Sequence, residues 1–138
     1  MGGEILIDTG PLVAYLDRRQ QSHEWTVAQF SALSGTVLTC EAVISEVCFL
    51  LSKQPRAIAK IDDYIQRGAL NLAPIGMKAQ ARIFGLMRKY HQIPMSYADA
   101  CLLWLAESRP QSRLFTLDSD FRIYRLENKL PVPLIAPF

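Results

Sequence analysis

The feature that most constrains this chain is a short apolar run closed by a carboxylate. Glu4-Ile5-Leu6-Ile7 ends at Asp8, and Thr9-Gly10-Pro11 follows. So short and continuous an apolar run reads as a strand buried on both faces. Pro11 then suits the first position of a helix that packs through Leu12, Val13, Tyr15 and Leu16. The alternation continues, with strands expected at 36–39, 70–73, 113–116 and around 134–135. Helices are expected at 22–33, 41–52, 55–66, 78–91 and 96–108. The 41–52 segment is apolar on nearly every side and too long for most strands, so it reads as a buried helix. Short strands alternating with helices predict an α/β domain whose largely parallel sheet is covered on both faces. No linker, repeat or low-complexity stretch interrupts the 138 residues, which predicts one domain over 1–138.

Composition excludes several classes. Half of the residues are hydrophobic and 20% are charged, which is not the balance of a disordered chain. No apolar run approaches the roughly 18 residues needed to cross a bilayer, and no basic leader precedes a short apolar segment. Leu6 stands where a myristoylation signal starting at Met1-Gly2-Gly3 requires Ser or Thr. Membrane attachment and secretion are therefore not expected, and a cytoplasmic location is. Cys40, Cys48 and Cys101 are odd in number, form no C-x-x-C pair and lie among apolar residues. They read as small buried hydrophobes in a reducing compartment, not as a disulfide framework or a zinc site. His23 and His91 form no metal-ligand pair and read as helix-start and loop residues. Phosphate-cradling glycine loops and a G-x-S-x-G elbow are both missing.

In parallel α/β sheets, ligands sit beyond the carboxyl ends of strands, where strand order reverses. That singles out Asp8 and Asp118, each directly after an expected strand, and with them Glu46, Asp99 and Asp120. Each acid also has a local explanation. Asp8 suits a turn ahead of Gly10-Pro11. Asp99 follows Ser96 by three residues, the spacing of a capping box. Asp118-Ser119-Asp120 suits a turn held by side-chain-to-backbone bonds. Glu46, inside the apolar stretch Val43 to Leu51, needs an ion pair, a shifted pKa or a bound cation. Carboxylates gathered at strand ends without matching cations repel, at roughly 4 kcal/mol for each pair ~4 Å apart in an effective dielectric of ~20. Mg²⁺ or Mn²⁺ resolves that conflict, since hard divalent ions take oxygen ligands and keep water. An all-oxygen acidic cluster suits phosphodiester hydrolysis.

Ile5-Leu6-Ile7-Asp8-Thr9-Gly10-Pro11-Leu12-Val13-Ala14 resembles the opening of PIN-domain ribonucleases, notably the toxins of VapBC-type toxin–antitoxin pairs. Ser45-Glu46-Val47, Ala98-Asp99-Ala100 and Thr116-Leu117-Asp118-Ser119-Asp120-Phe121 are similar to that family's next three motifs, in the same order. The resemblance covers essentially the whole chain. It implies a five-stranded parallel sheet of order 3-2-1-4-5 between helices. It implies further that Asp8, Glu46, Asp99 and Asp118 are metal-binding acids, with Asp120 a further acid. Thr116 matches a hydroxyl residue that orients the first Asp, and Thr9 is an accessory candidate beside it. The implied activity is Mg²⁺- or Mn²⁺-dependent endoribonuclease cleavage of single-stranded RNA, leaving 5′-phosphate and 3′-hydroxyl ends. A homodimer and a small antitoxin that inserts a segment into the acidic pocket are the implied partners. Gln92 departs from the pattern, standing where an acid is often expected.

Formal net charge is only +2, but setting aside the five candidate acids leaves 15 basic against 8 acidic residues. The remaining surface is thus net positive, as positioning a phosphate backbone requires. Arg18, Arg19, Arg88, Lys89 and Arg122 are the leading candidates, with Arg82, Arg109, Arg113 and Arg125 behind them. Two alternatives stay open. A receiver or haloacid-dehalogenase-like phosphoryl-transfer domain also carries strand-end Asp residues, although Thr9 and Gly10 occupy the places of its usual second acid. A non-catalytic interaction module retaining the fold is the other.

Overall fold

β1 (Ile5–Ile7) forms the middle of the sheet because all three of its side chains are apolar, and all are fully buried. The computed structural model describes residues 3–138. Met1 and Gly2, which open the myristoylation-like start, lie outside the described residues. Parallel neighbours flank β1 on both sides. β2 (Val37–Thr39) sets Val37 opposite Ile5, and β4 (Arg113–Phe115) sets Phe115 opposite Ile7. β3 (Asn71–Leu72) and β5 (Leu134–Ile135) are the edges, so the parallel sheet runs 3-2-1-4-5 as expected. The chain steps from β1 out to β3, then returns to the other side of β1 as β4. The carboxyl ends of β1 and β4 therefore lie side by side at the point where strand order reverses.

Among the described residues six helices connect the strands: α1 (Thr9–Leu16), α2 (His23–Ala32), α3 (Glu41–Leu50), α4 (Pro55–Gln66), α5 (Gln80–Lys89) and α6 (Tyr97–Ser108). Short 3-10 turns occur at Met77–Ala79 and Ser119–Arg122. α6 buries more residues than any other helix: Ala98, Ala100, Cys101, Leu102, Leu103, Leu105 and Ala106. Its Ala-rich and Leu-rich sequence has no bulky polar side to turn outward along that stretch.

Three expectations need correction. α1 starts at Thr9, ahead of Gly10-Pro11, because the Asp8 carboxylate caps it, accepting the Thr9 N–H at 2.7 Å. Pro11 still lies in the first turn, where backbone N–H groups have no intrahelical acceptor. α3 is not a buried helix: Val43 and Val47 are enclosed, but Phe49 is 79% exposed and Leu50 58%. α3 packs one side on α1 and α6, so an all-round apolar sequence leaves its outer side uncovered within a single chain. Cys40 and Cys101 are buried as expected, whereas Cys48, on α3, is only partly so; all three are free.

Candidate functional site

Asp8, Glu46, Asp99 and Asp118 line a single cleft, together with Thr9, Gly10, Ser96 and Leu117. Four separate elements deliver them. Asp8 follows β1, Glu46 lies in the middle of α3, Asp99 is in the first turn of α6, and Asp118 follows β4. Pairing of β1 with β4 brings Asp8 and Asp118 together, and packing of α3 against α1 and α6 adds the other two. The Cβ of any residue replacing Gly10 would stand 3.3 Å from Leu117, so a glycine allows α1 to approach the Asp118 loop.

The local explanations for Asp99 and Asp118 are realised, Asp8 is a helix cap and not a turn residue, and none of these roles uses up its carboxylate. Asp8 caps α1 through Oδ1 and accepts the Thr116 hydroxyl on Oδ2 at 2.8 Å. Asp99 and Ser96 form the capping box, with the Ser96 N–H on Asp99 Oδ2 at 3.2 Å. Asp118 accepts the Asp120 N–H on Oδ1 at 2.9 Å. Glu46 meets no arginine; the Thr9 hydroxyl donates to its Oε2 at 2.8 Å. Oδ1 of Asp99, Oδ2 of Asp118 and Oε1 of Glu46 accept nothing from the described residues. Each carboxylate has about four acceptor positions, so capacity remains on every one.

Cations do not neutralise this cluster. Among the described residues the ion pairs are Arg19–Asp17, Arg67–Asp63, Arg82–Glu107 and Arg109–Glu4, none touching the cleft. Burial, reinforced by the Asp118 and Glu46 charges, pushes the Asp8 carboxyl up to about 6 against the hydrogen bonds from Thr116 and Thr9. Burial and then the Asp8 charge push Asp99 up to about 7. Two of the four acids are thus partly protonated near neutrality. The fold holds them in a place that disfavours their charge.

Asp120 does not line the cleft; its backbone N–H holds Asp118. The basic candidates are dispersed. Arg18, Arg88 and Arg122 are exposed, Lys89 lies over the Tyr90 ring, and Arg122 lies over Phe138. Arg19 is engaged by Asp17. Arg82 and Arg109 are held by Glu107 and Glu4, and Arg125 donates to three carbonyls of its own turn. Arg113 begins β4, at the opposite end of the strand from the acids. Gln92 is exposed and outside the cleft.

Sequence reasoning missed Tyr124. Its side chain is fully buried against Tyr90 and Phe121, and its hydroxyl has no hydrogen-bond partner among the described residues. Burial raises its pKa, and the Asp99, Asp120, Asp118 and Asp8 charges add to the rise, although the residue does not line the cleft. No spacing rule marks a lone tyrosine after a 3-10 turn.

Residues 5–126 match the PIN domain family. The chain belongs to that family. No curated protein sequence matches it. Among solved structures this PIN domain is similar to the Mycobacterium tuberculosis VapC20 toxin, which cleaves the sarcin–ricin loop. Identity is 14%, the TM-score is 0.77, and the match covers 84% of this chain and 91% of that one. It is also similar to VapBC2 from Rickettsia felis, solved bound to a DNA fragment from their promoter. There identity is 15% and the TM-score 0.65, over 96% of this chain and 98% of that one. At such identities the likeness is one of fold.

Among the described residues no three His, Cys, Asp or Glu side chains form a ready-made metal cluster. The PIN-domain carboxylates stand around the cleft, turned toward their own donors. Their chemistry nevertheless fits a hard divalent cation: every donor is oxygen, no basic side chain competes, and burial disfavours the uncompensated charge. The described helices include none long and apolar enough to cross a membrane.

Proposed function

We propose that this PIN domain is a Mg²⁺- or Mn²⁺-dependent endoribonuclease that cleaves single-stranded regions of RNA, and that it is the toxin of a toxin–antitoxin pair. One observation carries the reading: four carboxylates from four separate elements share one cleft, and among the described residues no basic side chain pairs with them. Asp8, Asp99 and Asp118 would hold the metal, with Glu46 joining them directly or through water. A bound divalent ion supplies an activated water and neutralises charge on the phosphate. The protein's part is positioning. Thr116 and the Thr9 N–H fix Asp8 from two sides, the Ser96 N–H fixes Asp99, and the Asp120 N–H fixes Asp118. Exposed Arg18, Arg88, Lys89 and Arg122 supply positive charge for the RNA backbone. Ends bearing 5′-phosphate and 3′-hydroxyl are the expected products.

A cytoplasmic homodimer inhibited by a small antitoxin completes the proposal. The family and the likeness to the VapC20 toxin and to VapBC2 support it, as do two features of the surface. Phe49, Leu50, Met77 and Phe84 are large apolar side chains left exposed. An apolar groove lined by Leu12, Tyr15, Phe30, Val37, Tyr64 and Leu70 runs along α1, the helix that Asp8 caps.

The receiver-like alternative loses its footing, because the strand order is 3-2-1-4-5 and not the 2-1-3-4-5 of that fold. The test against a non-catalytic module is Asp99→Asn, assayed on unstructured RNA at saturating Mn²⁺. Cleavage by the parent and none by the folded variant is the expected result. Equal cleavage by both removes Asp99 from the site, and no cleavage by the parent across a broad RNA panel favours the non-catalytic module.

A further inference from the structure

Thr9 occupies an unusual place in the cleft. Its N–H donates to Asp8 at 2.7 Å and its hydroxyl to Glu46 Oε2 at 2.8 Å, so one residue restrains two of the four acids. The residue is buried, and it opens α1, which packs against α3. Glu46 is the only one of the four held by a side chain from another helix; Asp99 and Asp118 are held by backbone N–H groups within three residues. Among the described residues its restraint comes from that hydroxyl alone, whereas Asp8 is held by the Thr116 hydroxyl and the Thr9 N–H together, so one side-chain substitution frees Glu46 without touching the backbone.

We infer that Thr9 sets the metal selectivity of the cleft, by holding one oxygen of Glu46 so that the carboxylate meets a divalent ion through Oε1 alone. This rests on the metal-nuclease reading above. A hydrogen bond to Oε2 fixes the rotation of the carboxylate and withdraws charge from that oxygen, leaving Oε1 the stronger donor. One-oxygen carboxylates suit Mg²⁺ and Mn²⁺, which take six ligands in near-ideal octahedral order. Ca²⁺ takes six to eight ligands and readily accepts a carboxylate through both oxygens. The same bias extends to Asp99 and Asp118, each with one oxygen engaged by a protein donor, whereas both oxygens of Asp8 are engaged. Thr9 is a positioning residue in this account, not a ligand.

The experiment compares equilibrium Mn²⁺ and Ca²⁺ binding, by calorimetric titration of metal-stripped protein, in the parent, Thr9→Val and Thr9→Ser. Val keeps the shape and β-branching of Thr but has no hydroxyl. Thr9→Val is expected to lower Mn²⁺ affinity by about tenfold, the usual cost of losing a partner that orients a ligand, while Ca²⁺ affinity holds or rises. Thr9→Ser is expected to keep the parent's ratio. A Thr9→Val protein that loses affinity for both ions equally, or for neither, overturns the inference and leaves the metal-nuclease reading standing. A parent that binds neither ion overturns both. Melting in chelator establishes that each variant is folded, and Thr9→Ala takes the place of Thr9→Val if the latter is not.

Discussion

Thr116 donates its hydroxyl to Asp8 Oδ2 at 2.8 Å and accepts the Asp118 N–H at 3.0 Å. A single buried hydroxyl at the end of β4 thus ties the carboxylate after β1 to the loop that presents Asp118. Thr116→Val should leave Asp8 without that donor and the Asp118 N–H without its acceptor. The expected loss of stability is about 1–3 kcal/mol, and Mn²⁺ affinity should fall by about 10–100-fold. Thr116→Ser should restore both. Denaturant melts and Mn²⁺ titration read the two effects separately; full Mn²⁺ affinity in Thr116→Val would show that Asp8 needs no orientation from β4.

Acidity offers an independent check. Asp8 and Asp99 have folded pKa values raised from 3.8 to about 6 and about 7. Between those limits the folded protein holds protons that the unfolded chain has released, so stability falls as pH rises. The contribution is complete below the unfolded value and lost as pH passes through about 6 for Asp8 and about 7 for Asp99. Asp17, lowered by its bond to Arg19, acts only below this window. In chelator the melting temperature should therefore drop between pH 5 and pH 8. In saturating Mn²⁺ the drop should shrink or reverse, because protons then compete with the metal. An identical pH dependence with and without Mn²⁺ would separate these acids from any metal.

Neutralising Asp8 should act in opposite directions on the two states. Asp8→Asn removes a like charge beside Asp118 and Glu46; the amide oxygen can still cap the Thr9 N–H, and the amide NH2 can donate to the Thr116 oxygen in place of accepting from it. Metal-free stability near neutral pH is expected to hold or rise, while stabilisation by Mn²⁺ is largely lost. Thermal melts in chelator and across a Mn²⁺ series decide. A clear loss of stability in chelator with the full Mn²⁺ shift retained would mean that Asp8 is a structural cap alone.

The strands and the acids after them were legible because burial on both faces forces a continuous apolar run, and such a run can stop only at a polar residue. Ile7-Asp8 and the stretch from Phe115 to Asp118 show this directly. What pattern could not separate was cap from site. The Asp99–Ser96 box and the Asp118 turn both exist, and only the third dimension shows their carboxylates facing one cleft. The link between Thr9 and Glu46 was equally hidden, since it spans two helices that sequence spacing does not relate. α3 failed for a different reason. An apolar run reports that surface is to be covered, but not whether the same chain covers it.

That uncovered surface supports the last prediction. Phe49 is 79% exposed and Leu50 58%, near the end of a helix whose other side packs on α1 and α6. Met77 is 85% and Phe84 50% exposed, with the Phe84 ring tilted against Tyr97 at 5.8 Å between ring centres. Exposed aromatic and methionine side chains are enriched where proteins associate, and polar replacements away from such contacts usually change stability by under ~0.5 kcal/mol. If α3 lies at the homodimer face, Phe49→Glu should fold normally yet sediment as a monomer at concentrations where the parent is a dimer. Phe84→Glu tests the exposed surface of α5 in the same way. Dimers from both variants would place the interface elsewhere, and a monomeric parent would remove the homodimer from the proposal. A change in melting temperature that depends on protein concentration in the parent, and vanishes in Phe49→Glu, would tie the exposed aromatic to association and not to folding.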